Sequence, residues 1–234
     1  MCCEHIIVDI YTKVNCMKKV FSYNSDIYKN AYLNWRTERH EPIHNMNVLA
    51  DGYFGIVFQS IKGCLADNRD HAADVLIFPI LFSMNHGIEL FEKSICWSVN
   101  ILLGYTQSYN TDSHDIRNIW YTVKQKITQF GFSSEAPKET FDSMIVTLES
   151  YLKELYTTII RDSMDDARHN IVFSRYPHDK NKESFFYINQ CKNVVVDLEN
   201  LLVLCEDIYS CLSRLAGYYY DLVCRAWDSM SAQC

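Results

Sequence analysis

Apolar residues along most of the chain return every three or four positions, the period of an α-helix that lays one face on a core. From about Asp70 to Leu103, Met84, Ile88, Phe91, Ile95, Val99 and Leu102 keep that spacing, and Pro79 marks either a kink or the true start of the helix. An earlier helical pattern opens at Met46, with Val48, Tyr53, Ile56, Ile61 and Leu65 roughly along one side. Beyond the loop YTQSYNT, Thr111, Asp112 and Ser113 are N-cap candidates for a helix whose stripe is Ile116, Ile119, Val123, Ile127 and Phe130. GFSSEAP breaks it, and Pro137 suits the first turn of a helix from about Lys138 to Asp165, with Phe141, Met144, Leu148, Leu152, Leu155 and Ile159 on one face. IVFSRYP and FFYIN, separated by HDKNKE, read as a short β-like hairpin or ordered loop. The last helix runs from about Val194 to Trp227. Its seam is Val194, Leu198, Leu201, Cys205, Ile208, Leu212, Leu215, Tyr219, Leu222 and Ala226, beside a second stripe of Val195, Leu202, Tyr209, Ala216 and Val223. Two stripes imply burial on two sides, at the centre of a bundle or at a subunit interface, and so a homodimer is expected.

The fold class this predicts is all-α: an up-and-down bundle over residues 46–234, with a long C-terminal helix and the short β-like excursion, behind a poorly defined extension over residues 1–45. Composition agrees. The chain is 48% hydrophobic and 14% aromatic, enough for a core, while seven Gly and four Pro are few for a turn-rich β-sandwich. A net charge of −7 weighs against nucleic-acid binding over a broad face but leaves room for a local basic patch. Ten cysteines form no C-x-x-C pair, and Cys2, Cys3 and His5 lack a fourth ligand, so no metal or cofactor is called for. The N-terminus lacks the pattern of a signal peptide, and the longest apolar run, VLIFPILF, is far short of a membrane span. The expectation is a cytoplasmic protein whose thiols are reduced and buried as small hydrophobes.

Three stretches in order carry a resemblance. HGIELFEKSI holds His86, Glu89 and Lys93; SHDIRNIWYTV holds His114, Asp115 and Ile116; RYPHDKN is followed by VVDLENLL. Over roughly residues 46–227 the chain resembles the HEPN superfamily of helical bundles, and more narrowly the HEPN-like bacterial proteins with an RYP element before a VDL helix. The resemblance implies a homodimeric bundle of a defence or toxin–antitoxin type system, in which an Arg and a His separated by four to six intervening residues cleave RNA without metal, or a non-catalytic partner of such a system. Arg39 and His44 meet that spacing formally, but they lie in a Pro-containing loop, and about one such pairing is expected by chance in a chain of this composition. Arg161 and His169 are one residue too far apart, and Arg175 and His178 are too close.

The densest place for chemistry is still RDSMDDARHNIVFSRYPHDK. Arg168 and His169 are its candidate catalytic pair, and Arg161, Arg175 and His178, with His86 and Glu89 nearby, its candidate binding groove. Arginine clamps phosphate and histidine exchanges protons near neutral pH. Arg175, flanked by Phe173 and Tyr176, is expected to be substantially buried and hydrogen-bonded. The plainer alternatives are structural: arginines clamping carboxylates, Glu89 and Lys93 as a surface ion pair, His114 and Asp115 as first-turn caps, and Tyr218, Tyr219 and Tyr220 as packing. Function divides accordingly. The chain binds RNA or a partner, such as an antitoxin, through the Arg/His groove; or it is a metal-independent endoribonuclease; or it is a non-enzymatic interaction protein.

Overall fold

The computed structural model describes residues 18–106, 108–109, 114–160, 172–178, 182, 184–185, 187–188 and 193–231. Residues up to Trp35 form a short unit of their own. Its described part is irregular apart from a 3-10 turn at Ile27–Lys29, which Asp26 caps by accepting from the Tyr28 N–H at 3.1 Å. The main unit starts at Arg36 and is an all-α bundle.

Its described helices are α1 (Pro42–Ala66), α2 (Ala73–Leu102), α3 (Ile116–Phe130), α4 (Glu135–Met144), α5 (Val146–Ile160) and α6 (Leu198–Ser231). α2 is the central helix: it packs on α1, α3 and α6, and α6 packs in turn on α1 and α5. By length and apolar content α2 also meets the requirement for a membrane span, but it carries buried Glu89, Glu92 and Lys93 and is covered by three other helices, as the core helix of a bundle is. The chain enters it through a loop in which Asn68 accepts from the Ala73 N–H at 2.9 Å, and the helix runs through Pro79.

The core is continuous. Phe54, Phe91 and Tyr209 cluster with centroids 5.3 to 6.1 Å apart, joining α1, α2 and α6. Met84 and Cys205 meet sulfur to sulfur at 3.3 Å across α2 and α6. Cys64, Cys96, Cys205 and Cys211 are free and buried. Gly87 has a packing reason: a Cβ there would stand 2.9 Å from the Phe54 ring, so the absence of a side chain lets α1 and α2 approach.

Several expectations are corrected. α1 begins at Pro42, and its buried face is Ile43, Met46, Ala50, Phe54, Val57, Ile61 and Cys64. Ile56 and Leu65, read as core, are exposed: they fall off the strict three–four series that Phe54 and Val57 keep. Thr111, Asp112 and Ser113 lie outside the described residues, and the N-cap of α3 is Asp115. The single helix expected from Lys138 breaks at Ile145 into α4 and α5, with Pro137 in the first turn of α4 as read. α6 starts at Leu198, where Asp197 accepts from the N–H groups of Glu199 and Asn200 at 3.0 and 3.1 Å, so Val194 and Val195 precede the helix and are exposed. The β-like excursion is, among the described residues, a 3-10 turn at Val172–Ser174 and one antiparallel bridge between His178 and Ser184.

Candidate functional site

Most of the buried polar side chains among the described residues lie on α2: Ser83, Asn85, Glu89, Glu92, Lys93, Ser94, Ser98 and Asn100. Spacings of three and four put Asn85, Glu89, Glu92 and Lys93 on one side of the helix, facing the start of α3 and the body of α5. Asn85 accepts from the Tyr151 hydroxyl at 2.6 Å, anchoring that face to α5.

Glu89 is the centre. Its side chain is only 4% exposed. One oxygen, Oε1, accepts from Lys93 Nζ at 2.7 Å and from His114 Nδ1 at 2.9 Å, while Oε2 lies at a longer 3.5 Å from His86 Nδ1. Burial alone would raise its pKa. Hydrogen bonding from His86, Lys93 and His114, together with the Lys93 charge, overcomes this and holds the carboxyl at about 2. Glu89 is therefore an ionised, acceptor-only group, and His114 must donate from Nδ1. In a neutral His114 the Nε2 is then an acceptor, and with 72% of the side chain exposed that edge is open to solvent. His86 is more enclosed: it stacks on Phe82 at 5.8 Å and meets the edge of Tyr53 at 4.6 Å. Lys93 Nζ lies 5.5 Å over the Tyr109 ring.

Two carboxyls flank this centre. Asp115 caps α3, accepting from Asn118 N and Nδ2 at 3.1 and 2.7 Å and from the Tyr156 hydroxyl of α5. Glu92 is completely buried, and neither of its oxygens has a hydrogen-bond partner among the described residues. Burial, then the negative charges of Glu89 and Asp115, push its pKa well up, with Lys93 opposing only in part. One turn of α2 thus presents an ionised carboxylate and a neutral carboxylic acid in consecutive helical contacts, an arrangement that separates proton acceptor from proton donor.

The residues read from the sequence are placed unevenly. His86 and Glu89 come together. Glu89 and Lys93 form a buried pair and not the surface ion pair that their i,i+4 spacing alone suggests. Arg175 is exposed, against the expectation of burial. Phe173 is buried, and the Arg175 guanidinium carbon lies 5.4 Å from the Phe82 ring centre and 5.5 Å from that of Tyr176. Arg175 and His86 thereby share Phe82 as a common platform. His178 is exposed and forms an antiparallel bridge with Ser184. Arg161, Arg168 and His169 lie outside the described residues, as do Cys2, Cys3 and His5. Among the described residues no group of three or more His, Cys, Asp and Glu has metal-binding geometry.

Sequence reading missed Glu92, Tyr156 and Arg117. Glu92 had a signal: it stands four residues after Ile88 and three before Ile95, on the apolar stripe itself. Tyr156 had none, because its role depends on α5 crossing the start of α3. Comparison with known proteins finds no matching family model, no similar curated protein and no similar solved structure.

Proposed function

We propose that this protein binds RNA on the face where His86, His114 and Arg175 reach the surface, within a defence or toxin–antitoxin type system of the kind its HEPN-like motifs imply. The observation that supports this reading is the exposed His114 imidazole, oriented by a buried, ionised Glu89. A second imidazole, His86, lies on the same carboxylate, and the Arg175 guanidinium lies over the Phe82 ring beside it. Guanidinium and imidazolium N–H groups suit phosphate oxygens, and the rings around them suit bases. The homodimer and any antitoxin partner belong to this proposal through the resemblance. The two stripes of α6 find cover on α1 and α2 within one chain, and do not by themselves demand a second copy.

A second reading, a metal-independent endoribonuclease, is favoured by the pairing of two imidazoles on one carboxylate. One imidazole would take the proton of a 2′-hydroxyl as its oxygen attacks the adjacent phosphorus. The other would give a proton to the departing 5′-oxygen, leaving a 2′,3′-cyclic phosphate. One experiment tests both: single-stranded and structured RNA are mixed with the wild type and with His114→Ala and Arg175→Ala, in chelator, and both retention and chain length are read. Weaker retention in both variants supports the binding face. Cleavage lost in His114→Ala supports the nuclease. Wild-type protein that neither retains nor cleaves RNA at micromolar concentration removes both readings and leaves the non-enzymatic interaction protein.

A further inference from the structure

We propose that the groove between α3 and α5 is a binding site for a nucleoside 5′-phosphate, separate from the His86–His114 face. The groove encloses about 660 Å³, within the range of small-molecule sites. Its lining carries three cations, Arg117, Lys124 and Lys153, against one carboxylate, Glu149, on a chain whose net charge is −7. Glu149 is already engaged, accepting from Lys124 Nζ at 2.5 Å and from the Trp120 indole N–H at 3.2 Å. The positive surplus therefore rests with Arg117 and Lys153, neither of which pairs with a carboxylate among the described residues.

Arg117 is the residue that points to phosphate. Its guanidinium carbon lies 4.0 Å over the Tyr156 ring, a stacked cation–π contact, and Tyr156 is itself fixed by donating to Asp115. Stacking uses the face of the guanidinium and leaves its in-plane N–H donors free, the geometry that takes two phosphate oxygens at once. Because the side chain is held in place before the ligand arrives, less rotamer entropy is lost on binding. Lys153, one turn before Thr157 on the facing helix, supplies a second cation from the other wall. A bare anion would need nothing more, but the remaining wall is aromatic and apolar: Tyr121, 63% exposed, offers an open ring on which a base can stack, and Leu152 closes the floor. Phosphate clamp and stacking platform, in a groove of this size, select a phosphate joined to an aromatic base.

The ligand can be a free mononucleotide or the 5′-phosphorylated end of an oligonucleotide, and the test separates them. Adenosine 5′-monophosphate, adenosine, inorganic phosphate, and a short RNA with either a 5′-phosphate or a 5′-hydroxyl are titrated against the full chain by calorimetry. Arg117→Gln, Lys153→Ala, Tyr121→Ala and His114→Ala are titrated alongside, with thermal melts to show that each is folded. The expected result is that the monophosphate binds more tightly than adenosine or inorganic phosphate. Arg117→Gln and Lys153→Ala should each weaken it at least about tenfold, while His114→Ala leaves it unchanged. RNA preferring a 5′-phosphate by the same factor identifies the oligonucleotide end as the source, and no such preference identifies the free nucleotide. The proposal is overturned if the monophosphate does not bind at millimolar concentration. It is equally overturned if binding survives in folded Arg117→Gln and Lys153→Ala, or is lost only in His114→Ala; that last pattern belongs to the face proposed above.

Discussion

Glu92 should make this protein less stable as pH rises, and replacing it should reverse that. The side chain is fully buried, both oxygens are without hydrogen-bond partners among the described residues, and burial and the nearby charges of Glu89 and Asp115 hold the carboxyl protonated well above its ordinary range. The unfolded chain ionises it near 4.5, the ordinary value for a glutamate. Above that pH the folded protein carries one proton more than the unfolded chain. Stability therefore falls as pH rises, by about 1.4 kcal/mol per unit, until the raised folded-state pKa is reached. Glu92→Gln has nearly the same shape and no proton to carry, so its advantage over the wild type is expected to grow as pH rises above about 4.5, with a limiting slope of about 1.4 kcal/mol per unit, and to level off once the folded-state pKa is passed. The ionised Glu89 is common to both proteins and largely cancels in the difference. Urea unfolding of the two proteins at pH 4.5, 5.5 and 6.5 gives the comparison directly. Glu92→Leu, which also removes the unsatisfied polar atoms, should add a further pH-independent gain of about 1–3 kcal/mol. Parallel stability curves for wild type and Glu92→Gln, or an advantage that shrinks as pH rises, would refute the buried neutral acid.

Three further perturbations follow from the same geometry. Glu89→Gln strands Lys93, which is 8% exposed, and should cost about 3–5 kcal/mol in chemical denaturation; because the Glu89 pKa is depressed to about 2, its contribution is complete above about 4.5 and is lost as pH falls toward 2, so the variant should lose less stability than wild type over that acid window. Gly87→Ala sets a methyl 2.9 Å from a Phe54 ring that has no exposed surface, and should cost about 1–3 kcal/mol, part of which Phe54→Leu in the same chain should restore. Tyr156→Phe removes a donor to the buried cap Asp115 and should lower stability by about 1–2 kcal/mol in thermal unfolding, with the α3 cap bonds to Asn118 keeping the helix in place.

Periodicity made much of the bundle legible. The stripe from Met84 to Val99 and that from Leu201 to Tyr219 are buried as read, because a helix covered along one side needs apolar residues at three–four spacing and little else. What spacing cannot show is where a helix stops for a tertiary reason. The break at Ile145 has no Pro or Gly to announce it, and the start of α6 is set by the carboxylate of Asp197. Neighbours in sequence misled at Arg175: in an irregular turn Phe173 goes inward and Arg175 lies across Phe82, since no helical or strand period ties their directions together.

The site was legible only where it broke a rule. His86, Glu89 and Lys93 stood out as polar residues inside an apolar run, and spacing joined the last two, but their burial came from α3 delivering His114 onto the same oxygen, a contact across 25 positions. Glu92 broke the apolar stripe more severely and passed unnoticed because it sits beside residues that already looked polar. A buried, unpaired carboxyl weakens the fold, and a chain of this apolar content has Leu or Met available for the position. Such a group is retained more readily where its proton is used than where it only fills space. That makes the stabilising variant informative about function as well. If Glu92→Gln gains stability and keeps RNA retention but alters the pH dependence of any cleavage, the acid works with the Glu89–His114 pair as a proton source. If it gains stability and changes neither, the α2 cluster is a binding scaffold, and the chemistry of this protein lies elsewhere on the chain.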